Sequence, residues 1–307
     1  MNALCLPTKL AWFAALTLTF AAASSAQSSS VYVAYNGSDS NPCTRPAPCQ
    51  TITHALTVVP AGGVVDIIAS GSYDIFTVTQ AVTVEADPGL TALIPAPGNT
   101  TGIQISAGAS DSVKLKNLSL WTTGTTVNDI NSIGILENSA GELIVENCAA
   151  RGFQIGLAVY LGGILKVIGG YYEGMNISSS LATIDGVTAR PGAFFGDAIS
   201  VEGTVTISHS VLLGGPGALR GIDGAGGSVL LENNVISGFS YGVALGTYYC
   251  PDGFLSNNTI SNNGIGIYFD PDNLYDCLSP AYSRGNNTIV ANGTNVSGGS
   301  LTPIPGQ

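Results

Sequence analysis

The stretch LIVENCAARGFQIGLAV at residues 143–159 decides the fold, because the chain repeats it. Residues 229–245 read VLLENNVISGFSYGVAL and align with it without a gap, so that Glu-Asn, Gly-Phe and a later Gly coincide. Related Asn-Asn-Thr-Ile segments begin at Asn257 and Asn286, and most copies along the chain lie roughly two dozen residues apart. The chain is therefore built from a repeated structural unit of that length.

Each repeat contains short runs in which apolar and polar residues alternate, such as Val205-Thr206-Ile207, separated by Gly, Asn or Ser. Alternation with a period of two indicates β-strands, and Asn and Gly supply the left-handed turns between them. No helical stripe separates the strands, which excludes alternating helix and strand layers. We predict an all-β solenoid whose parallel strands stack at about 4.8 Å from coil to coil. A β-propeller is the structural rival, but its blades need about twice this repeat length.

The solenoid is predicted to form one domain over residues 27–297. The segment from Val64 to Val296 is long enough for roughly ten coils. Residues 50–59 (QTITHALTVV) place apolar residues on one helical face, so we expect a short helix inside an N-terminal cap at about 31–60, covering the open edge of the first coil. The Gly- and Pro-rich residues 298–307 are expected to form a flexible tail.

Residues 1–26 have the pattern of a secretory signal peptide. Lys9 is followed by an apolar run at 10–23, and small residues precede the expected cleavage before Gln27. The alternative is an uncleaved N-terminal anchor. No later segment is apolar for long enough to cross a bilayer. We therefore expect a secreted protein, extracellular or periplasmic, and expect it to be a monomer.

An exported chain meets an oxidising compartment, where cysteines form disulfides. Cys43 and Cys49 bracket a short loop and are the expected first pair. Cys250 and Cys277 flank about one repeat and are the expected second pair. Cys148 is left over inside an apolar run and is interpreted as a buried structural thiol.

Charged residues make up 9% of the chain, and 9 Lys and Arg face 20 Asp and Glu, for a net charge of −11. Nucleic-acid binding needs clustered Lys and Arg, so this charge balance excludes it. A hydrophobic content of 45% also excludes disorder. Low charge suits stacked coils, because like charges on neighbouring rungs repel each other.

The entry segment VYVAYNGSDSNPCTRPAPCQTITHAL (31–56) resembles that of secreted right-handed parallel β-helix proteins of the pectin-lyase-like superfamily. Such proteins often begin with a strand, a Gly-Ser-Asp-x-Asn-Pro turn, a Pro-Cys element and a capping helix. The resemblance implies a right-handed parallel β-helix. It leaves function open, because the superfamily includes pectate lyases, polygalacturonases, other polysaccharide enzymes, epimerases and non-catalytic surface proteins.

The well-known catalytic motifs of that superfamily are absent from the sequence. The Asn-Thr-Asp, Asp-Asp, Gly-His-Gly and Arg-x-Lys set of polygalacturonase-like hydrolases does not occur. The Trp-Ile-Asp-His signature of pectate lyases is missing as well. Both of these activities are therefore disfavoured.

Stacking the repeats brings one group of ionisable residues together. Asp197, Arg220 and Tyr241 fall on consecutive coils in one column, and Asp223 follows Arg220 by three positions. We take Asp197, Arg220 and Asp223 as candidate catalytic residues, and Tyr241 and Arg190 as candidate substrate-binding residues. The functional interpretation is an acid/base site, or a site in which arginine clamps a uronate. The alternative is an ion pair that only joins two coils.

A second acidic cluster lies beside Cys277. Oxygen ligands at Asp270, Asp272 and Asp276 suit calcium, although the loop lacks the glycine and terminal glutamate of an EF-hand. The alternative is an ordinary loop anchored by a disulfide.

These observations predict a carbohydrate-interacting protein that binds or processes a polysaccharide or other glycan. If it is an enzyme, we expect a polysaccharide lyase or a glycoside hydrolase. The alternative is a non-catalytic adhesin or a structural cell-surface protein, in which the ionised residues are dispersed or pair with each other.

Overall fold

The computed structural model describes residues 29–123, 131–192, 196–249, 251–271 and 280–304. Within these ranges the chain forms strands and a single helix, α1 (Ile52–Val58). The first strands are β1 Ser30–Val33, β2 Gly63–Ile67, β3 Gly71–Ser72, β4 Phe76–Val78, β5 Val82–Ala86, β6 Ala92–Ala96, β7 Thr101–Ser106, β8 Ser112–Lys116, β9 Leu118–Thr122, β10 Ile133–Ser139, β11 Glu142–Glu146, β12 Ala149–Arg151, β13 Ile155–Ile168, β14 Tyr171–Glu173 and β15 Met175–Asp185. The remaining strands are β16 Thr188–Arg190, β17 Asp197–Ser208, β18 Val211–Leu213, β19 Arg220–Gly224, β20 Ser228–Glu232, β21 Val235–Ser237, β22 Tyr241–Leu245, β23 Asp252–Ser256, β24 Thr259–Ser261, β25 Ile265–Phe269, β26 Ala281–Ser283, β27 Thr288–Val290, β28 Thr294–Ser297 and β29 Leu301–Pro303. The predicted signal peptide at 1–26 lies outside the described residues.

Every pairing between these strands is parallel, and the strands form the faces of a solenoid. The first face runs β4-β7-β10-β13-β15-β17-β19-β22-β25-β28, and the second runs β1-β2-β5-β8-β11-β13-β15-β17-β20-β23-β26-β29. The third face is the separate ten-stranded sheet from β3 to β27. The long strands β13, β15 and β17 belong to both the first and the second face. The predicted parallel β-helix with a short capping helix is confirmed, and the ten-stranded sheet agrees with the expected number of coils.

The alternating sequence pattern places apolar side chains inside the solenoid. In β2 the burial pattern alternates along the strand, and Val65 and Ile67 are fully buried. The same alternation recurs in β5 and β11, so that each inward side chain packs on its counterpart in the next coil. Burial of such aliphatic columns is the main stabilising contribution to a solenoid.

Left-handed residues turn the chain from the second face to the third. Asn147, Asn233 and Asn257 have φ between +51° and +56°, and His209 occupies the same place with φ +48°. Asparagine adopts this conformation more readily than most residues, because its short polar side chain can hydrogen-bond locally. The asparagines of the repeat are therefore turn residues, and His209 replaces one of them.

A glycine near the start of several first-face strands, such as Gly221 in β19 and Gly242 in β22, allows one coil to stack closely on the next. A Cβ added to Gly221 would lie 2.5 Å from the carbonyl oxygen of Gly242, and one added to Gly242 would lie 2.6 Å from that of Gly266. A side chain at Gly221 or Gly242 would therefore force the neighbouring coil to shift, so these two glycines are needed for close stacking.

An asparagine ladder crosses the interior beside these turns. The Asn234 Nδ2 donates to the Asn258 Oδ1 at 3.0 Å, and the Asn258 Nδ2 donates to the Asn287 Oδ1 at 2.9 Å. The same side chains bond the backbone, since the Asn258 Nδ2 also donates to the Leu231 carbonyl at 2.9 Å. Asn234 and Asn258 are 1% exposed, and these bonds satisfy amide groups that would otherwise be costly to bury.

The N-terminal cap covers the open edge of β1. The backbone N–H of Cys49 donates to the Tyr32 carbonyl at 2.9 Å, and that of Tyr32 donates to the Cys43 carbonyl at 2.8 Å. Cys43 and Cys49 form the disulfide that their spacing predicts. Asp74 accepts hydrogen bonds from the first backbone N–H groups of α1, at 2.8 Å from Ile52. Edge groups that would otherwise recruit another strand are thereby paired.

The C-terminal end differs from the predicted flexible tail. Residues Leu301–Pro303 form β29, which pairs with β26 in register from Ala281↔Leu301 to Ser283↔Pro303. Leu301 packs against the core, which explains why this segment joins the last coil. In the described part of the chain, no helix has both the length and the apolar character needed to cross a membrane.

We predict that Asn258→Ala lowers the free energy of unfolding by about 2–4 kcal/mol, because it leaves several buried polar groups without partners. Urea denaturation measures the effect. Asn257→Gly is the matched control, since Asn257 is exposed and glycine tolerates its positive φ. An equal loss in both variants would contradict a stabilising role of the ladder.

Candidate functional site

A cleft of about 240 Å³ opens on the first face, where β15, β17 and β19 lie side by side. Parallel pairing sets Asp197 opposite Arg220 and Ser200 opposite Asp223. The repeat alignment places these residues in the same register. All four residues line the cleft, so residues that are far apart in sequence lie together in one cluster.

The Arg220 guanidinium joins two carboxylates through a single nitrogen. Its Nη1 donates to the Asp197 Oδ2 at 3.2 Å and to the Asp223 Oδ2 at 3.5 Å. The Asp197 and Asp223 side chains are only 7% and 5% exposed, while Arg220 is 27% exposed. One positive charge is therefore shared by two buried acids.

Asp197 is the less well satisfied of the two acids. Its Oδ1 is buried and has no hydrogen-bond partner among the described residues. The pKa of the Asp197 carboxyl is raised to about 6. Burial raises the pKa most, the Arg220 guanidinium lowers it in part, and the nearby Asp223 charge raises it again. A buried carboxylate oxygen that accepts no hydrogen bond favours the protonated form of Asp197, because hydrogen bonds are needed to stabilise a buried carboxylate.

Asp223 has more support for a negative charge. The Thr247 hydroxyl donates to its Oδ1 at 2.7 Å. Burial raises the pKa of Asp223, whereas Arg220 and the hydroxyls of Thr247 and Ser200 lower it. The two carboxyls therefore differ in environment, and the arrangement favours a proton on Asp197 and a charge on Asp223.

The rest of the cleft combines amides, an additional acid and an aromatic rim. Tyr248 is 53% exposed and stands at the rim. The other lining residues include Gln154, Ile155, Met175, Asn176, Glu202 and Ala225. Such a mixture of polar groups and one exposed ring suits a ligand that has both hydroxyl groups and flat apolar faces.

Two residues predicted to bind substrate lie away from the cleft. Tyr241 is in register with Arg220, but its ring packs against that of Tyr268, with centroids 4.8 Å apart. Arg190 ends β16 on the third face and lines a neighbouring groove of about 420 Å³ instead. The described lining of the cleft includes neither residue.

Of the predicted calcium ligands, Asp270 is the one that lies within the described residues. Asp270 is described, and its charge raises the pKa of Asp223. Asp272 and Asp276 lie outside the described residues, as do Cys250 and Cys277, so the calcium site and the second disulfide remain predictions.

The cysteines of the described part carry no reactive site. Cys148 is fully buried, and burial raises the pKa of its thiol to about 12, which fits the predicted structural role. His54 lies close to Cys43 and Cys49, but the disulfide occupies both sulfur atoms.

The repeat alignment missed two residues of the site, Asn176 in the lining of the cleft and Thr247, which bonds Asp223. Asn176 is in register with Ser200 on β15 and lines the cleft. Gly174-Met175 in its coil is equivalent to Gly156-Leu157 in the preceding coil, so extending the alignment to this coil would have placed Asn176 beside Ser200. Thr247 lies in the turn after β22, where no repeat pattern predicts side-chain direction.

The sequence model of one family, described as "Protein of unknown function (DUF1565)", matches residues 35–296. The match covers nearly all of the cap and the coils. The chain belongs to the DUF1565 family. A search of curated proteins returns no match for this DUF1565 chain.

Solved structures similar to this DUF1565 protein share its fold. A pectate lyase, Pel9A, has a TM-score of 0.54 and 14% identity, and the match covers 89% of this chain and 79% of that chain. A GH136 lacto-N-biosidase from Eubacterium ramulus has a TM-score of 0.50 and 10% identity, covering 90% of this chain and 68% of that chain. These similarities show that the DUF1565 chain has the parallel β-helix fold of these two proteins, and the low identity transfers no site residue.

We predict that Arg220→Met lowers the free energy of unfolding by about 3 kcal/mol at pH 7.5, because it leaves two buried carboxylates without their shared cation. Without Arg220 the folded-state pKa of each acid rises further. The variant is therefore stable while both acids are protonated, and it loses stability as pH rises through their folded-state pKa values. The difference in the free energy of unfolding between Arg220→Met and the native protein should thus be smaller at pH 4.5. Urea denaturation at both pH values measures it.

Lys166→Met is the control for this prediction. Lys166 pairs with Glu142 at 2.6 Å but is 47% exposed, so its loss should cost less than about 1 kcal/mol. A loss in Arg220→Met that is the same at pH 4.5 and 7.5 would contradict the shared-cation account.

Proposed function

We propose that this protein processes a glycan and that the cleft on its first face is the active site, with Asp197 and Asp223 as the reacting carboxyl pair. The observation that supports this proposal is the pair of buried acids that share Arg220 while Asp197 keeps one oxygen without a partner. Two solved β-helix structures named as a lacto-N-biosidase and a pectate lyase support a carbohydrate as the ligand class.

Hydrolysis of a glycosidic bond needs one carboxyl to donate a proton and one carboxylate to face the developing positive charge. Asp197 suits the first role, because its raised pKa keeps it protonated in mildly acidic solution. Asp223 suits the second, since Arg220 and Thr247 donate hydrogen bonds to its carboxylate. The proton moves from Asp197 to the leaving oxygen as the glycosidic bond breaks. Water then adds its hydroxyl to the anomeric carbon, and its remaining proton restores Asp197.

Arg220 acts as a positioning residue in this proposal. Its single positive charge is already shared by two acids, so a uronate carboxylate would add a further negative charge beside them. Glu202 also lines the cleft and adds negative charge. The proposed substrate at this site is therefore a neutral sugar, with Tyr248 as a stacking surface at the rim.

Secretion is part of the proposal. The Cys43–Cys49 disulfide is typical of exported proteins, and glycans outside the cell are accessible to such a chain. Mass spectrometry of exported protein that begins at Gln27 would support the predicted signal peptide.

A non-catalytic glycan-binding module is the second candidate. The specific observation in its favour is that Asp197, Arg220 and Asp223 pair with each other, as in an ion pair that joins coils. Such a module would bind a polysaccharide without releasing products.

We predict that the protein releases reducing ends from at least one neutral polysaccharide in a panel of galactan, xylan and mixed-linkage glucan. Asp197→Asn and Asp223→Asn should each lower that activity by at least about a hundredfold, because an amide neither donates a carboxyl proton nor carries the charge. Assays with and without calcium also test the predicted metal site.

Glu232→Gln is the matched control, since it removes one carboxylate from β20, in the same coil as Arg220 but on another face. Binding of a neutral polysaccharide without product release would sink the catalytic proposal and favour the binding module. Equal losses in Glu232→Gln and the cleft variants would also contradict it.

We further predict that the activity falls as pH rises through about 6, because Asp197 must be protonated to act as the acid and burial raises its pKa to about 6. Initial rates from pH 4 to pH 8 measure this limb. The residual activity of Asp197→Asn should lack the limb. If the activity of Asp197→Asn still falls as pH rises through about 6, the group that titrates there is not Asp197, and another residue is the acid.

A further inference from the structure

The third face carries a second group of polar and aromatic residues, on strands other than those that hold the carboxyl pair. Trp121 on β9 is 49% exposed and is in register with Arg151 on β12. Glu173 on β14 is in register with Arg190 on β16. These strands are consecutive rungs of the ten-stranded sheet, so Trp121, Arg151 and Arg190 follow one line along the solenoid.

Neither arginine of this line forms an ion pair within the described residues. The other basic residues of the strands do, as Lys114, Lys116, Lys166 and Arg220 each pair with a carboxylate. Two unpaired guanidinium groups close together are unusual in a chain with 9 Lys and Arg and a net charge of −11.

Glu173 is the acid that could neutralise both arginines, but other donors hold it. Its Oε2 accepts the backbone N–H of Gly152 at 2.6 Å, and its Oε1 accepts the Tyr171 hydroxyl at 2.8 Å. The Arg151 guanidinium instead lies over the Tyr171 ring, 4.3 Å from its centroid. A cation over an aromatic ring keeps its N–H groups available at the edge for an anion.

We propose that Trp121, Arg151, Tyr171 and Arg190 form a binding surface for an acidic oligosaccharide, which we call the third-face patch. The indole provides a flat surface on which a sugar ring stacks, and the guanidinium groups bind carboxylates or sulfates of neighbouring sugars. From Trp121 to Arg190 the line spans about 14 Å at the rung spacing, which exceeds one sugar ring and fits a short chain.

Charge complementarity selects this ligand over other polyanions. Nucleic acids and anionic membranes are bound by clusters of many cations, and the patch has two. An acidic glycan carries charges separated by flat sugar rings, which matches two arginines beside an exposed indole. The patch is independent of the carboxyl pair, which faces a cleft on the first face.

The probe for this site is a set of oligogalacturonates, with neutral galacto-oligosaccharides of the same length as reference. The chain has 2 tryptophans, Trp12 and Trp121, and Trp12 lies in the predicted signal peptide. Oligogalacturonate binding should therefore change the tryptophan fluorescence of the purified protein, and Trp121→Phe should abolish the change. Binding should weaken as salt rises, because exposed charge pairs are screened.

We predict that Arg151→Gln and Arg190→Gln each raise the dissociation constant for oligogalacturonate by about tenfold, as loss of a charge-assisted hydrogen bond implies. Arg284→Gln is the matched control, since Arg284 is exposed and lies on a different part of the solenoid. Asp197→Asn should leave this binding unchanged, which separates failure of the patch from failure of the proposed active site.

Three outcomes would overturn the patch. They are equal binding of neutral and acidic oligosaccharides, equal weakening by Arg284→Gln, and binding of anionic lipid vesicles that the same two variants abolish. Melting curves of the variants establish that each is folded. Since the arginines are exposed at the ends of short strands, their replacement should leave the melting temperature nearly unchanged.

Discussion

Parallel stacking of one coil on the next is the constraint on which every other feature depends. It holds equivalent residues of successive coils about 4.8 Å apart, so each position becomes a column of side chains. Apolar columns build the core, and buried asparagines bond each other along the ladder. Charges of one sign cannot occupy such a column without repulsion, which explains why only 9% of the chain is charged.

The same stacking explains how much the sequence reveals. Asp197, Arg220 and Asp223 could be predicted to meet because offsets of one coil become contacts in a parallel ladder. Tyr241 has the predicted register, but register does not determine where a side chain points, and its ring packs on Tyr268. Arg190 lies close to Asp197 in sequence, yet β16 belongs to the third face and the start of β17 to the first.

Ion pairing separates two kinds of polar site in this protein. In the cleft, acids outnumber the cation and burial makes the negative charge costly, so Asp197 keeps a proton in mildly acidic solution. On the third face, an acid is held by Gly152 and Tyr171, while its neighbouring arginines form no ion pair with any residue that the structure describes. The first arrangement favours proton transfer, and the second favours recognition of an external anion.

The asparagine ladder also governs how such a chain can change in length. Each ladder amide bonds its equivalent in the next coil, so insertion or deletion of one whole coil restores every bond at the new junction. The two intervals of the ladder are 24 and 29 residues long, so the turns of a coil take up extra residues while the next asparagine keeps its place. The length of the chain in one coil can thus vary, whereas the number of coils fixes the length of the solenoid at about one rung spacing per coil.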